Sequence, residues 1–191
     1  MKKILILNGS INGQEGNTST LLDHCSQILQ NLHVNFEVLH LHDYHHSFKE
    51  KMKLADGFIF ATGTYWDSWG SPMQKFLEEI TDLEAEQEIL FKPASVIVTM
   101  HAFGGKSVLS RLQGVLNTMG MIIPPMSGMV YALSTQQAMA QDDHFAKDFW
   151  SIEDLEIVLH NLVTTTKKEY QFKPWPVDKK DPKRLWLKTE N

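Results

Sequence analysis

Residues able to hold an anion gather near the start of the chain. Gly9-Ser10 opens a loop that runs through Gly13 and Gly16 to Asn17-Thr18-Ser19, and an apolar-periodic segment (Leu21, Leu22, Cys25, Ile28, Leu29, Leu32) follows at once. Hydroxyls beside the unpaired N–H groups of a helix start are the chemistry that binds a phosphate. No lysine lies between residues 4 and 48, so neutral donors would hold it, which favours a phosphomonoester over a nucleoside triphosphate. The loop fits neither common nucleotide fingerprint. Gly16 is followed by Asn17 where a P-loop has lysine, and Gly9, Gly13 and Gly16 lack the G-x-G-x-x-G spacing. An ordinary surface loop would use the same residue types.

Two further loops carry more than connectors need. Thr62 to Ser71 reads T-G-T-Y-W-D-S-W-G-S, and Met100 to Gly105 reads M-H-A-F-G-G. A planar heterocycle is bound by aromatic faces with backbone donors at its edge. Tyr65, Trp66 and Trp69 could instead cap the core or meet a neighbouring subunit. Three such loops in one chain favour a flat ligand.

Each loop follows an apolar run short enough for a buried strand. Strands are expected at Ile4–Leu7, Val34–Leu41, Gly57–Gly63, Ala94–Met100 and within Met121–Val130. The intervening stretches read as helices: from Asn17, over Phe48–Ala55, from Ser71-Pro72 (a hydroxyl N-cap before proline), from Gly104-Gly105, and over Ile152–Val163. Alternation of this kind makes an α/β protein, a parallel sheet covered on both faces. Five strands suit the order 2-1-3-4-5, whose ligand lies beyond the carboxyl ends at the switch point.

Composition limits the function classes. The 191 residues carry a formal net charge of -5, so no basic footprint argues for nucleic acid. Cys25 is the only cysteine, which excludes an internal disulfide. No apolar run approaches a membrane span and no signal peptide is readable, so the expectation is a cytoplasmic protein.

The three loops also carry a resemblance. L-N-G-S-I-N-G-Q-E-G-N-T-S-T-L-L resembles the G-S-x-R-x-x-G-N-T/S-x-x-L of the flavodoxin-like NAD(P)H-dependent FMN reductase and quinone reductase family, with one extra loop residue. T-G-T-Y-W-D-S-W-G-S-P-M-Q-K-F-L-E-E is similar to its P-x-Y-W/F-x-x-x-x-x-P-x-K-x-F-x-D-R, and H-A-F-G-G-K-S-V-L-S-R-L-Q-G-V-L-N-T-M-G-M to its G-G-x-x-x-x-x-x-L-x-x-x-L-x-x-x-G-M. Together they cover residues 3 to about 130. The resemblance implies a flavodoxin-like three-layer sandwich, an FMN-dependent oxidoreductase using NADH or NADPH, and a quinone or similar flat small-molecule electron acceptor. It implies that Ser10, Asn17, Thr18 and Ser19 hold the FMN phosphate. Thr64, Tyr65, Trp66 and Asp67 would border the ring, and His101, Ala102, Phe103, Gly104 and Gly105 its other edge, with His101 also open to substrate. The flavin carries the chemistry, so no catalytic side chain is assigned. A homodimer or homotetramer is implied too. The rival readings are a flavodoxin-type electron carrier and a flavin-free regulatory or assembly protein.

Departures from the pattern are Asn12 for arginine, Gly63 for proline, Gln74 for lysine and Glu78 for aspartate. His40, His42, His45 and His46 crowd one turn, but polar residues after a strand normally make a solvated turn, and no metal is assigned. The domain is expected over residues 1–168, with an insertion at 131–150 that either covers the flavin or merely connects. In the tail, 169–191, Trp175 and Trp186 stand in a charged setting and point to docking, on their own domain or a neighbouring subunit.

Overall fold

The computed structural model describes residues 2–43, 48–141 and 149–177. Five short runs of apolar residues form strands: β1 (Lys3–Asn8), β2 (Asn35–His40), β3 (Gly57–Gly63), β4 (Ala94–Met100) and β5 (Gly128–Ala132). They pair in parallel in the order β2-β1-β3-β4-β5. The doubly wound sheet expected from the alternation is therefore the one formed.

Side chains of successive strand residues point to opposite faces, and both faces are buried. Leu5, Leu7, Phe58, Phe60, Val96 and Val98 share one core with helices α2 (Lys49–Leu54), α3 (Ser71–Glu79) and α4 (Gly105–Thr118). Ile4, Ile6, Ile59, Ala61 and Ile97 share the other with α1 (Asn17–Asn31) and α6 (Asp154–Thr165). Cys25 is on the inner face of α1, where burial pushes its thiol up to about 12.

Two local expectations are corrected. Ser71 is the first residue of α3 and Gly70 is the cap, with no side-chain hydrogen bond there. β5 starts at Gly128, because Pro124 and Pro125 cannot donate to a ladder, and only Ile122 bridges, to Pro93. The segment after β5 holds a helix, α5 (Leu133–Gln141), with residues 142–148 outside the described part.

Beyond α6 the chain crosses to the helices of the opposite face. Phe172 packs edge-on against Phe91 at 5.7 Å, and the Trp175 indole N–H donates to Glu84 at 2.9 Å. Trp186 lies outside the described residues, as do His45 and His46.

Candidate functional site

The turn after β1 is organised by Asn8, a fully buried amide at the end of the strand. Its Oδ1 accepts the Ser10 N–H at 3.1 Å, and its Nδ2 donates to the Gly13 carbonyl at 2.9 Å. Nδ2 also meets His40 Nδ1 at 3.1 Å, so that ring nitrogen acts as an acceptor. Asn8 thus folds the loop back to the start of α1. Gly16 caps the helix in an extended conformation with no side-chain hydrogen bond; its carbonyl takes the Ser19 N–H at 2.9 Å, which leaves the Asn17 and Thr18 amides to another acceptor.

Ser10 is 2% exposed, and its Oγ has no hydrogen-bond partner among the described residues. A Cβ placed on Gly16 would lie 3.7 Å from that oxygen, so the hydroxyl sits against the head of α1. Thr64 Oγ1, at the end of β3, is likewise buried and unpartnered. A buried hydroxyl costs about 1–3 kcal/mol when left unpaired, and two of them facing one cleft are donors prepared for a ligand.

That cleft has a volume of about 470 Å³ and lies at the carboxyl ends of β1, β3, β4 and β5. Of the residues expected from the sequence, Ser10, Asn17, Thr18, Thr64, Tyr65 and His101 line it. Thr18 is tied to Thr99 through a 2.8 Å hydroxyl pair, which joins α1 to β4. Ser19, Trp66, Asp67 and residues 102–105 are not among its lining. Sequence reasoning missed Asn8, Thr99, His24, Tyr131, Leu133 and Ile152. His24 could have been found from helical spacing, because Asn17, Thr20, Leu21 and His24 share one face of α1. Among the described residues no group of three or more His, Cys, Asp or Glu side chains could hold a metal ion.

The aromatic loop is a tight hairpin. Tyr65 and Ser68 exchange backbone hydrogen bonds, and Trp66 and Asp67 between them take φ of 47° and 58°, the left-handed turn that matches strand twist. Trp66 at its tip is fully exposed. Tyr65 turns back toward Gly63 and Gly70, and its hydroxyl accepts the Ile11 N–H at 3.2 Å. Arg111 of α4 holds the other side: it donates to the Asp67 carbonyl at 3.0 Å and to Ser68 Oγ at 3.2 Å, and lies 5.1 Å over the Trp69 ring.

The third loop is shaped by packing. Gly104 caps α4 with φ of 86°, and a side chain there would overlap the Asp67 carboxylate. Gly105 gives its N–H to Met100 Sδ at 3.3 Å, and a Cβ on it would overlap Val130. Both glycines therefore allow close approach of protein to protein. The Ser134 N–H donates to the His101 carbonyl at 2.9 Å, so α5 buttresses the same loop.

Residues 2–136 match the family model described as NADPH-dependent FMN reductase. An NAD(P)H dehydrogenase (quinone) from Chelativorans sp. (strain BNC1) is 37% identical over 75 residues, which is 38% of this chain; the matched part spans 37% of that relative. Among solved structures, RosB with a bound 8-demethyl-8-formylriboflavin-5'-phosphate aligns over 100% of this chain and 96% of its own, with a TM-score of 0.69 at 14% identity. FerB, an NAD(P)H:(acceptor) oxidoreductase from Paracoccus denitrificans, aligns over 87% of this chain and 98% of its own, with a TM-score of 0.66 at 19% identity. At such identities the two structures speak for the fold alone.

Proposed function

Because the chain belongs to the NADPH-dependent FMN reductase family, we propose that it is an FMN-dependent oxidoreductase, passing a hydride from NADH or NADPH to a quinone or another flat acceptor. The observation that carries this reading is the buried, partnerless Ser10 hydroxyl at the head of α1, opening into a cleft of about 470 Å³.

The residues present fit the cofactor. Ser10 Oγ, the α1 amides at Asn17 and Thr18, and the Asn17 side chain would hold its phosphate, with the helix dipole favouring the negative charge. Ser19, absent from the lining, would act through the same helix start. Thr64 Oγ1 would donate to the part lying past β3, and Tyr65 and His101 would flank it. Trp66, Asp67, Ala102, Phe103, Gly104 and Gly105 would shape the outer wall of the ring site. Bound FMN would supply the hydride-accepting and hydride-donating centre. The chain itself binds, orients and excludes water.

Titration of the apoprotein with FMN, followed by flavin fluorescence, and steady-state oxidation of each nicotinamide against a quinone panel test the reading. Saturable FMN binding with acceptor-dependent nicotinamide oxidation is the expected result. Binding without oxidation would leave a flavodoxin-type carrier, and no binding would leave a flavin-free protein; either overturns the proposal.

A further inference from the structure

The Asn8 amide that organises the phosphate loop is fully buried, so each of its partners matters. Oδ1 takes the Ser10 N–H, and one Nδ2 hydrogen goes to the Gly13 carbonyl. These two backbone groups fix which end of the amide is which, because a carbonyl only accepts and an N–H only donates. The second Nδ2 hydrogen therefore points at His40 Nδ1, 3.1 Å away, and that nitrogen must carry a lone pair. His40 is held as the neutral ring with its proton on Nε2.

The strands bring the pair together. His40 ends β2 directly opposite Asn8 at the end of β1, and both stand on the α1 side of the sheet, His40 in line with Phe36 and Val38. A second proton on the ring would set Nδ1–H against Nδ2–H, donor against donor. Turning the ring over puts a C–H there and leaves the same amide hydrogen unpaired. Turning the amide over sets Oδ1 against the Gly13 carbonyl and Nδ2 against the Ser10 N–H, which loses both loop contacts. The titratable groups on the neighbouring elements are His42 and Asp43 of the turn after β2, Glu15 of the short turn Gly13–Glu15, and Asp23 and His24 of α1, all exposed. Asp43 stands beside Gly13 and 3.7 Å from His42 Nε2. The Glu37 group with Lys3 and Lys51 lies on the opposite face. Among the described residues, the side-chain partner of the His40 ring is Asn8.

We propose that His40 is a positioning residue for the phosphate site: in its uncharged form alone it holds Asn8, and through Asn8 the Ser10–Gly13 loop, in the shape that receives the FMN phosphate. Proton uptake at His40 and phosphate binding then oppose each other. The proposal rests on the reading of the cleft given above. His40 is not in the wall of the cleft and acts through Asn8. The phosphate's own charge would favour a cation, but only from beyond the cleft wall, whereas the mismatch with Asn8 is at contact distance and sets the sign.

FMN affinity of the full chain is measured at about pH 8 and about pH 5.5, either side of the range in which histidines change charge, for the parent, His40→Asn and His40→Leu. Asparagine sets Oδ1 where Nδ1 stands and does not titrate; leucine offers no acceptor. The FMN phosphate and the other histidines titrate in all three proteins, so comparison with His40→Asn cancels them. Between the two pH values the parent should lose about tenfold more affinity than His40→Asn, about 1.4 kcal/mol. His40→Leu should bind about tenfold more weakly than the parent at the higher pH and show no extra loss in acid. A merely structural histidine would leave the parent and His40→Asn with the same pH profile, and that result overturns the proposal, as does a parent that tightens in acid relative to His40→Asn. Nitrogen-15 spectra of the parent apoprotein test the same point without variant or ligand. At the higher pH His40 should carry its proton on Nε2, and the Ser10 amide should lose protection from exchange as His40 gains its second proton. A ring protonated on Nδ1, or a Ser10 amide still protected in the acid form, overturns the proposal. A parent that binds no FMN at the higher pH fails the functional reading instead, and the spectra then decide the role of His40 by themselves.

Discussion

Ser10 and Thr18 sit on the same loop and would touch the same phosphate, yet the structure predicts opposite behaviour for their alanine variants. Ser10 Oγ is buried without a partner. Removing it relieves an unpaired group instead of breaking a bond, so Ser10→Ala should leave apoprotein stability unchanged or raise it by up to about 1 kcal/mol. The cost appears on ligand binding. A hydrogen bond to a charged acceptor is worth about 1.5–3 kcal/mol, so FMN affinity should fall roughly 10- to 150-fold. Thr18 Oγ1 is paired with Thr99. Thr18→Ala breaks that bond and strands the Thr99 hydroxyl, so the apoprotein should lose about 1–2 kcal/mol before any ligand is added. The double variant should lose about as much FMN binding as Ser10→Ala alone, about 1.5–3 kcal/mol, because Thr18 offers the phosphate its backbone N–H, which alanine keeps. Urea unfolding of the apoproteins and FMN fluorescence titration read the two quantities separately. A Ser10→Ala protein that is clearly destabilised and binds FMN as tightly as its parent would refute the reasoning, because the hydroxyl would then be structural.

Gly104→Ala should destabilise the fold by about 1–3 kcal/mol, as the residue combines a left-handed φ with contact against Asp67. In an Asp67→Ala background the loss should shrink to the backbone part, about 1–2 kcal/mol; unchanged urea midpoints in both would contradict the placement of this cap. Hydrogen bonds from Lys3 and then Lys51 hold the Glu37 carboxyl below the usual carboxylate range. Its stabilisation is complete above the ordinary carboxylate pKa and is lost as pH falls through the lowered folded value. The stability gap between the parent and Glu37→Gln should therefore be full at neutral pH and close in acid. A gap that stays constant from neutral pH to about pH 3 would rule this out.

The strands were legible because a sheet covered on both faces needs continuous apolar runs, and Gly57–Gly63 and Ala94–Met100 appear in the structure with the bounds their composition marks. The start of β5 was not, since Met121–Ile123 reads as strand while Pro124-Pro125 interrupts the ladder. In the cleft, Ser10, Asn17, Thr18, Thr64, Tyr65 and His101 could be named because they follow β1, β3 and β4 in three marked segments. Thr99 could not, because its role depends on a partner 81 positions away. Asn8 was hidden for a different reason: it ends an apolar run, where an amide reads as the strand's last residue and not as the hub of the next turn. The Trp66-Asp67 turn lacks the Asn-Gly or Gly signature of left-handed hairpins, so its geometry had no trace in composition.

The contact between the first two loops has a consequence for re-engineering the protein. A Cβ on Gly9 would come within 2.5 Å of Met73 Cβ, and one on Gly70 within 2.5 Å of the Gly9 carbonyl oxygen. Main chain meets main chain there, so the separation of the phosphate loop from the aromatic loop is fixed by bare backbone. No choice of side chain at positions 9 and 70 can narrow that gap, and any larger residue wedges the loops apart. A library meant to change acceptor preference should hold both glycines constant and vary His101, Tyr131, Leu133 and Ile152. Those positions can reshape the chamber while its frame keeps its dimensions.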